Sequence, residues 1–236
     1  NKIKKISGHD YIARMQGSAS FALEVMSLNF LYGNVLIIST GYYSDRILSL
    51  AHSAKRRIGK IKKIYTIDWN KLNSLSKKFD WIWACSTETS RGLKLPIKML
   101  AQVSNKLKSK LMLDATGSIG LEPDHDLADA AAFSSCKGLF GLTGAGFVCF
   151  NNKPTVKVDS FNLDINSHLE KKMTGPYHAI SSLDNVLSKH SSFKSSVIIN
   201  KKKFLNKMEK WLTLPSKFQP LLCTHITRKI RKNIAK

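Results

Sequence analysis

Short apolar runs alternate with longer amphipathic stretches along the first 150 residues, and this alternation restricts the possible folds more than any other feature. The apolar runs are 34–40, 61–68, 81–87, 110–116, 130–135 and 144–150. Helical patterns lie between several of them, at 45–59, 70–79 and 96–109. Buried strands that are joined by helices form mostly parallel sheets. The alternation therefore predicts an α/β fold, a mostly parallel sheet covered by helices on both faces.

The pattern changes after Phe150. Residues 151–173 are predicted to be irregular, and helices are expected at 179–190 and 199–212. The length of 236 residues suits one large domain or one and a half domains. We therefore expect a large domain over 1–190, and over 191–236 a linking helix and the start of a truncated small domain, which includes the strand-like PLLCTHIT. Because the chain begins with Asn1 rather than methionine, we expect it to be incomplete at that end too.

The chain carries a formal net charge of +22, and the excess is densest near its end. Residues 201–236 contain eleven lysines and arginines and a single acid, Glu209. Such a surface can bind nucleic acid or acidic membranes. No zinc-ligand spacing, RNP aromatic set or GxxG clamp accompanies the charge, so we expect no specific nucleic-acid partner.

Hydropathy and cysteine usage indicate the cellular compartment. No apolar run approaches the ~20 residues of a membrane-spanning helix, and the first residues do not resemble a signal peptide. The four cysteines form no CxxC pair and no metal-ligand spacing; they are Cys85, Cys136, Cys149 and Cys223. We therefore expect reduced thiols, a cytoplasmic protein, no metal and no membrane partner.

An acid and a lysine stand at the carboxyl ends of two successive predicted strands, where open parallel sheets bind their ligands. Asp114 ends the run LMLD, and Lys137 follows AAAFSSC. A carboxylate can hold a pyridinium N–H by a charge-assisted hydrogen bond, and a lysine amine can form a Schiff base with an aldehyde. Singly, each has a structural explanation: Asp114 as a capping or salt-bridging acid, and Lys137 as one of many lysines.

Three further segments at strand ends could complete a binding site. QGSASFALEVM (16–26) places small residues before a predicted helix, whose N-terminal N–H groups can bind phosphate. STGYYSDRI (39–47) brings Tyr42 and Tyr43 to a strand end, where a ring can stack on a planar ligand. STETSRG (86–92) offers hydroxyls for a phenolic oxygen. An ordinary helix cap, core packing and a hydroxyl-rich turn are the structural alternatives.

Taken together, these segments match what pyridoxal phosphate (PLP) requires of a protein. A lysine holds its aldehyde, an acid keeps its ring nitrogen protonated, an aromatic ring covers it, and a helix N-terminus anchors its phosphate. The sequence therefore predicts PLP as the cofactor.

The same segments resemble a known family. DATGSIGLEPDHDLADAAAFSSCKGLFGLTGAGFVCF resembles the aspartate-to-lysine block of the class V (fold-type I) aminotransferases. GSASFALE is similar to the family's phosphate cup GSGTFAVE, TGYYSDR to NGAYGER, and ETSRGLKLPI to ETTTGILNPI. These segments are most similar in sequence to those of the 2-aminoethylphosphonate–pyruvate transaminases. The resemblance extends from about residue 11 to about residue 190. The resemblance implies a fold-type I large domain and amino transfer from an aminophosphonate to pyruvate.

The resemblance also implies roles for individual residues. Lys137 would be the Schiff-base lysine and proton shuttle, and Asp114 would partner the pyridine nitrogen. Thr174 would reach the phosphate of a neighbouring subunit, which implies a homodimer. The implied cofactor-binding residues are Ser18, Ala19, Ser20, Tyr43, Thr89, Asp114, Ser134, Lys137 and Thr174.

Some positions depart from the family pattern. Ala19 replaces a glycine of the cup, Cys136 an amide before the lysine, Arg91 a small hydroxyl and Gly117 a hydroxyl. Arg228 and Arg231 do not match the family's carboxylate-binding arginine motif, so the sequence assigns none. Two alternatives stay open: a non-catalytic paralogue or basic binding protein, and a cysteine desulfurase on the same fold.

Overall fold

The computed structural model of the protein describes residues 2–170 and 173–226. The strands are β1 (Tyr11–Gln16), β2 (Gly33–Ser39), β3 (Ile61–Asp68), β4 (Trp81–Cys85), β5 (Thr87–Glu88), β6 (Leu93–Lys94), β7 (Lys110–Asp114), β8 (Ala130–Ser134) and β9 (Ala145–Phe150). The α-helices are α1 (Lys2–Ser7), α2 (Ala19–Phe30), α3 (Tyr42–Ile58), α4 (Ile97–Lys106), α5 (Ile165–Leu169), α6 (Tyr177–Leu187) and α7 (His190–Met208).

A seven-stranded sheet in the order β1-β9-β8-β7-β4-β2-β3 forms the centre of the described residues. Its neighbouring pairs β8–β7, β7–β4, β4–β2 and β2–β3 are parallel. Strand β9 is antiparallel to both β8 and β1, so β1 runs in the direction of the others. The predicted α/β fold with a mostly parallel sheet is confirmed, and the antiparallel β9 is the detail that the sequence did not indicate.

Apolar layers cover both faces of the sheet, because neighbouring residues of a strand point to opposite faces. On β4, Ile82 packs in the layer that includes Leu100 of α4 and Leu183 of α6. The next residue, Trp83, packs in the opposite layer with Leu23 of α2 and Ile47 of α3. Burial on both faces explains why the central strands are continuous apolar runs in the sequence.

Some predicted elements were wrong. The helix expected at 70–79 is a 3-10 helix over Trp69–Ser74, in which only Leu72 is buried. The strand-like PLLCTHIT forms no strand in its described part; Ile226 makes one isolated bridge to Leu212. Residues 151–173, predicted to be irregular, contain the short helix α5. A one-sided apolar pattern of a few residues does not distinguish these outcomes.

Residues 188–226 are exposed or half-buried along much of their length. Helix α7 has 19 residues, and Lys201 is the buried one among them. Its large exposed apolar side chains are Phe193, Ile198, Ile199 and Phe204. Within residues 2–170 and 173–226, we find no helix with both the length and the apolar character that crossing a bilayer requires.

Candidate active site

The strand-end residues meet at one edge of the sheet. Ser39, Cys85, Asp114 and Ser134 end the parallel strands β2, β4, β7 and β8. Because β9 runs the other way, its first residues lie at the same edge, where Gly146 pairs with Ser134. The topology thus brings Asp114 and Ser134 to the position where ligands bind in open α/β sheets.

Asp114 is buried at this edge, with 1% of its surface exposed. Its Oδ1 accepts hydrogen bonds from Thr116 N at 3.0 Å and Thr116 Oγ1 at 2.5 Å. Its Oδ2 is ion-paired with Arg46 Nη2 at 2.8 Å. A carboxylate can accept about four hydrogen bonds. These three donors from the described residues therefore leave one position on Oδ2 for a further N–H group.

Arg46 joins the predicted residues to one another. Besides Asp114, it donates from Nη1 to Ser20 Oγ at 3.0 Å, and its Cζ lies 4.9 Å from the centroid of the Tyr43 ring. The Nζ atom of Lys137 lies 5.1 Å from the same centroid. Tyr43 thus has two cations near its ring, one of which is bonded to the buried acid. Arg46 was missed at the sequence level, although it follows Tyr43 by one helical turn.

Lys137 stands in a strained backbone conformation. Its φ is +55°, in the left-handed region that non-glycine residues rarely adopt. Phe140 N donates to Lys137 O at 2.9 Å, and Gly141 N to Ser135 O at 2.9 Å, which closes a tight turn. A Cβ at Gly138 would lie 2.2 Å from Ile119 O, so this turn is packed against the neighbouring loop. Strain of this kind is concentrated at functional sites.

The N-terminus of α2 points to the same edge. Ser18 is its cap, with Oγ accepting from Phe21 N at 3.3 Å. Gly17, at φ +154°, donates its N–H to Gly144 O at 2.9 Å, and a Cβ there would lie 2.9 Å from Phe21 Cδ1. Ala19, the departure from the glycine of the cup, is 7% exposed and therefore turned mainly into the protein.

The remaining predicted residues occupy different surroundings. Thr89 is half-buried directly after β5. Ser134 is buried, and its Oγ lies 3.1 Å from Cys136 Sγ. Thr174 lines a cavity of about 670 Å³ with Gln16 and Phe21, beside the end of β1 and the first turn of α2. Arg228 and Arg231 lie outside the described residues.

A buried hydrogen-bond network of side chains holds the backbone carbonyl of Asp114. Ser86 Oγ donates to Asp114 O at 3.3 Å and lies 2.6 Å from Ser118 Oγ, which in turn lies 2.8 Å from His125 Nε2. Burial lowers the pKa of His125 to about 4. The ring is therefore neutral at neutral pH, and this network holds the end of β7 without adding a charge.

The thiols near this edge are free, and Cys85 is the buried one among them. The four cysteines are unpaired. Burial raises the pKa of Cys85 well above its ordinary value, and the Asp114 carboxylate adds to that effect. Burial also raises the pKa of Cys223, an effect that Lys201 and Lys137 reduce. The thiols of Cys85 and Cys223 are accordingly poor nucleophiles at neutral pH.

Comparison with known sequences finds relatives over most of the chain. No family model matches it. It is 25% identical over 198 residues to a 2-aminoethylphosphonate–pyruvate transaminase of Pseudomonas aeruginosa, covering 75% of this chain and 53% of the relative. It is 26% identical over 200 residues to that of Pseudomonas fluorescens, covering 75% and 54%. The chain spans about half the length of the curated relatives it matches.

Solved structures share the fold at lower identity. An aspartate aminotransferase of subgroup IV from Thermus thermophilus superposes with a TM-score of 0.79 and 18% identity, covering 93% of this chain and 70% of that one. PLP-bound phosphoserine aminotransferase from Trichomonas vaginalis gives 0.74 and 14%, covering 93% and 68%. The chain therefore has the fold of the PLP-dependent aminotransferases, and its sequence resembles the 2-aminoethylphosphonate–pyruvate transaminases, as its class V motifs predict.

Proposed function

We propose that the chain is the cofactor-binding part of a PLP-dependent aminotransferase that moves an amino group from an aminophosphonate, such as 2-aminoethylphosphonate, to pyruvate. One observation carries the proposal: Asp114 and Lys137 are linked through Arg46 and Tyr43 at one sheet edge. The relatives named for this reaction support the substrate pair.

The residues present fit PLP. Asp114 keeps one acceptor position for a pyridinium N–H beside its ion pair with Arg46. Lys137 supplies a primary amine close to the Tyr43 ring. The first turn of the twelve-residue helix α2 offers N–H groups and the Ser20 hydroxyl for a phosphate. Acid, amine, ring and helix N-terminus are the four features that the cofactor needs.

The proposed chemistry divides between the acid and the amine. When bound, the cofactor supplies an electron sink that stabilises a carbanion at the substrate carbon. Asp114 Oδ2 would accept a hydrogen bond from the protonated ring nitrogen. Lys137 Nζ would hold the cofactor through its aldehyde group, and the same amine would act as the acid and base that moves a proton off and onto the substrate carbon.

The other contacts follow the positions of the predicted residues. Tyr43 would cover the ring, and Thr89 would lie near its phenolic oxygen. The phosphate would contact Ser18, Ala19 and Ser20, with Thr174 reaching it from a second copy of the chain. Ser134 is the last of the proposed cofactor-binding residues. The protein would accordingly be a homodimer, which a molar-mass measurement in solution would test.

The proposal also covers location and organisation. Four free thiols suit a cytoplasmic protein. Residues 1–190 would form the cofactor-binding domain, because the described part of that range holds the sheet and its covering helices. Residues 191–236 would link it to a small domain; their described part adds most of α7, two 3-10 helices and one isolated bridge.

The proposal is tested by replacing the lysine. Lys137→Ala should abolish the visible absorption band that PLP gives with the wild-type protein, because the substitution removes the amine that would hold the cofactor aldehyde. Lys60→Ala is the matched control: Lys60 is exposed just before β3, at the opposite edge of the sheet, and its loss should leave the band unchanged.

An unchanged band in Lys137→Ala, or no band in the wild type, would contradict the proposal. With the wild type loaded, alanine formation from 2-aminoethylphosphonate and pyruvate tests the substrates, and sulfide release from cysteine tests the desulfurase alternative. Salt-sensitive retention on nucleic acid, without PLP binding, would favour a basic binding protein.

A further inference from the structure

We infer that Glu88 is a positioning residue: its buried carboxylate fixes the first turn of α3, and through that turn the places of Tyr43 and Arg46. The inference rests on the proposed function, because it concerns the geometry of the proposed cofactor site. Its structural basis can be tested without the cofactor.

Glu88 is fully buried and is surrounded by hydrogen-bond donors. Its Oε2 accepts from Tyr43 N at 3.1 Å, Ser44 N at 3.2 Å and Thr40 Oγ1 at 3.2 Å. Its Oε1 accepts from Ser90 N at 3.3 Å and from Ser90 Oγ at 2.5 Å. The carboxylate thus connects the end of β2, the start of α3 and the loop after β5.

The carboxylate of Glu88 takes the place of an N-cap side chain at the start of helix α3. Its N-cap is Gly41, which offers no side-chain oxygen to the first N–H groups of the helix. Glu88 supplies that oxygen from another strand and places a negative charge at the positive end of the helix dipole. The local bonds of the first turn of α3 come from Ser44, whose Oγ accepts from Thr40 N and Gly41 N. The N–H groups of Tyr43 and Ser44 are instead held by the tertiary contact with Glu88.

The shape of the backbone supports the same conclusion. Gly41 has a φ of +150°. A Cβ at this position would lie 3.1 Å from Glu88 Cδ and 3.1 Å from Arg91 Cδ. The loop before α3 can therefore approach the carboxylate this closely because glycine occupies the position.

The first turn of α3 determines where two site residues lie. Tyr43 N is bonded to Glu88 directly, and the Tyr43 ring lies 5.1 Å from Lys137 Nζ. Arg46, one turn later, bonds both Asp114 and Ser20. A shift of this turn would move the ring and the guanidinium together, so Glu88 acts on the site without touching its reacting atoms.

The chemistry of the pocket requires a carboxylate. Each hydrogen-bonding partner of Glu88 given above is an N–H or hydroxyl donor. A glutamine has almost the same shape, but its amide N–H₂ would face donors in place of one acceptor oxygen. Removing one acceptor from a buried pocket leaves donors unsatisfied, which costs more than the loss of one bond.

The test compares Glu88→Gln with Glu122→Gln. Glu122 is a matched control: like Glu88 it is largely buried, and unlike Glu88 it is ion-paired with Lys94 at 3.1 Å and contacts the C-terminal segment through Leu221 N instead of α3. In the cofactor-free protein, amide hydrogen exchange at Tyr43 and Ser44 should be faster in Glu88→Gln than in the wild type. With PLP added, the dissociation constant should rise roughly tenfold and the visible circular dichroism should change. Glu122→Gln should leave all three unchanged.

Wild-type exchange in α3 together with wild-type PLP binding in Glu88→Gln would overturn the inference. Faster exchange with unaltered cofactor affinity and circular dichroism would also overturn it, since Glu88 would then be a structural residue only. Failure of the wild type to bind PLP would refute the proposed function instead, and exchange at Tyr43 and Ser44 would still decide whether Glu88 holds α3.

Discussion

The carboxyl edge of the sheet and helix α7 bury charged groups in different ways. At the sheet edge, Asp114 and Glu88 are almost fully enclosed, and each accepts hydrogen bonds from several separate elements. In α7, Lys201 is the one buried residue, and Nζ reaches Cys223 O at 2.6 Å and Thr224 Oγ1. Several apolar side chains of α7 meanwhile remain exposed.

This difference indicates where the described fold is most tightly specified. Side chains at the sheet edge lie over a continuous core and are held from several directions, so their geometry depends on the whole domain. Helix α7 is held by few contacts along its length, and regions of that kind open locally at low free-energy cost.

The largest expected effect comes from deleting one aromatic ring in each region. Phe133 is fully buried on β8 and stacks on Phe147 with ring centroids 5.5 Å apart, whereas Phe204 in α7 is 40% exposed. Phe133→Ala should lower the free energy of unfolding by about 3–5 kcal/mol. Phe204→Ala should lower it by less than about 1 kcal/mol. Urea denaturation measures both, and equal losses would remove the distinction between the regions.

The second prediction concerns acid stability behind Asp114. The pKa of His125 is about 4 in the folded protein because burial disfavours its charged form, and about 6.5 in the unfolded chain. Between those values the unfolded chain binds the proton first, so stability is complete above pH 6.5 and falls as the pH drops towards 4. The expected loss is about 3 kcal/mol, measured by urea titrations across this range.

A variant and a control test whether His125 causes this dependence of the free energy of unfolding on pH. His125→Gln should flatten the pH dependence, leaving the smaller contribution of His9, whose pKa burial also lowers. His52→Gln changes an exposed histidine of α3 and should leave the slope intact. If His125→Gln kept the wild-type slope, the network behind Asp114 would not account for acid sensitivity.

The smallest effect is expected in α7. Lys201→Met should change the free energy of unfolding by no more than about 1 kcal/mol, because two effects offset each other. Removing the amine relieves the desolvation that lowers the pKa of Lys201. Its loss also leaves two oxygens without their donor. Limited proteolysis after α7 should nevertheless become faster. Lys202→Met, at an exposed neighbour, is the control. A large global loss with Lys201→Met would show that α7 belongs to the main cooperative unit.

The residues that sequence reasoning identified are those whose chemistry is unusual at a strand end. Asp114 and Lys137 each follow a run of apolar residues. The runs mark buried strands, and the place of both residues at the ends of those strands was sufficient to predict that they share one edge of the sheet. Helix α7, expected at 199–212, in fact begins at His190. Its sparse apolar pattern gives no clear starting point.

The supporting residues were not predictable in the same way. Glu88 and Arg46 lie within recognised segments, but their importance comes from partners 26 to 68 positions away in the sequence. Strand β1 alternates exposed Arg14 with buried Ala13 and Met15, so it lacks the continuous apolar run that marked the inner strands. The place of β1 at the edge of the sheet and the contacts of Glu88 and Arg46 with distant segments arise only when the sheet assembles, so a local sequence pattern does not show them.

The reversed direction of β9 has a consequence for the lysine. A parallel connection would carry the chain from the end of β8 to the far rim of the sheet before it returned. Here the ten residues 135–144 leave and re-enter the sheet at the same rim, where Ser134 faces Gly146. Lys137 is therefore tethered from both sides by a short hairpin loop. Its reach is set by the length of that loop, so an insertion or deletion there would displace the amine itself.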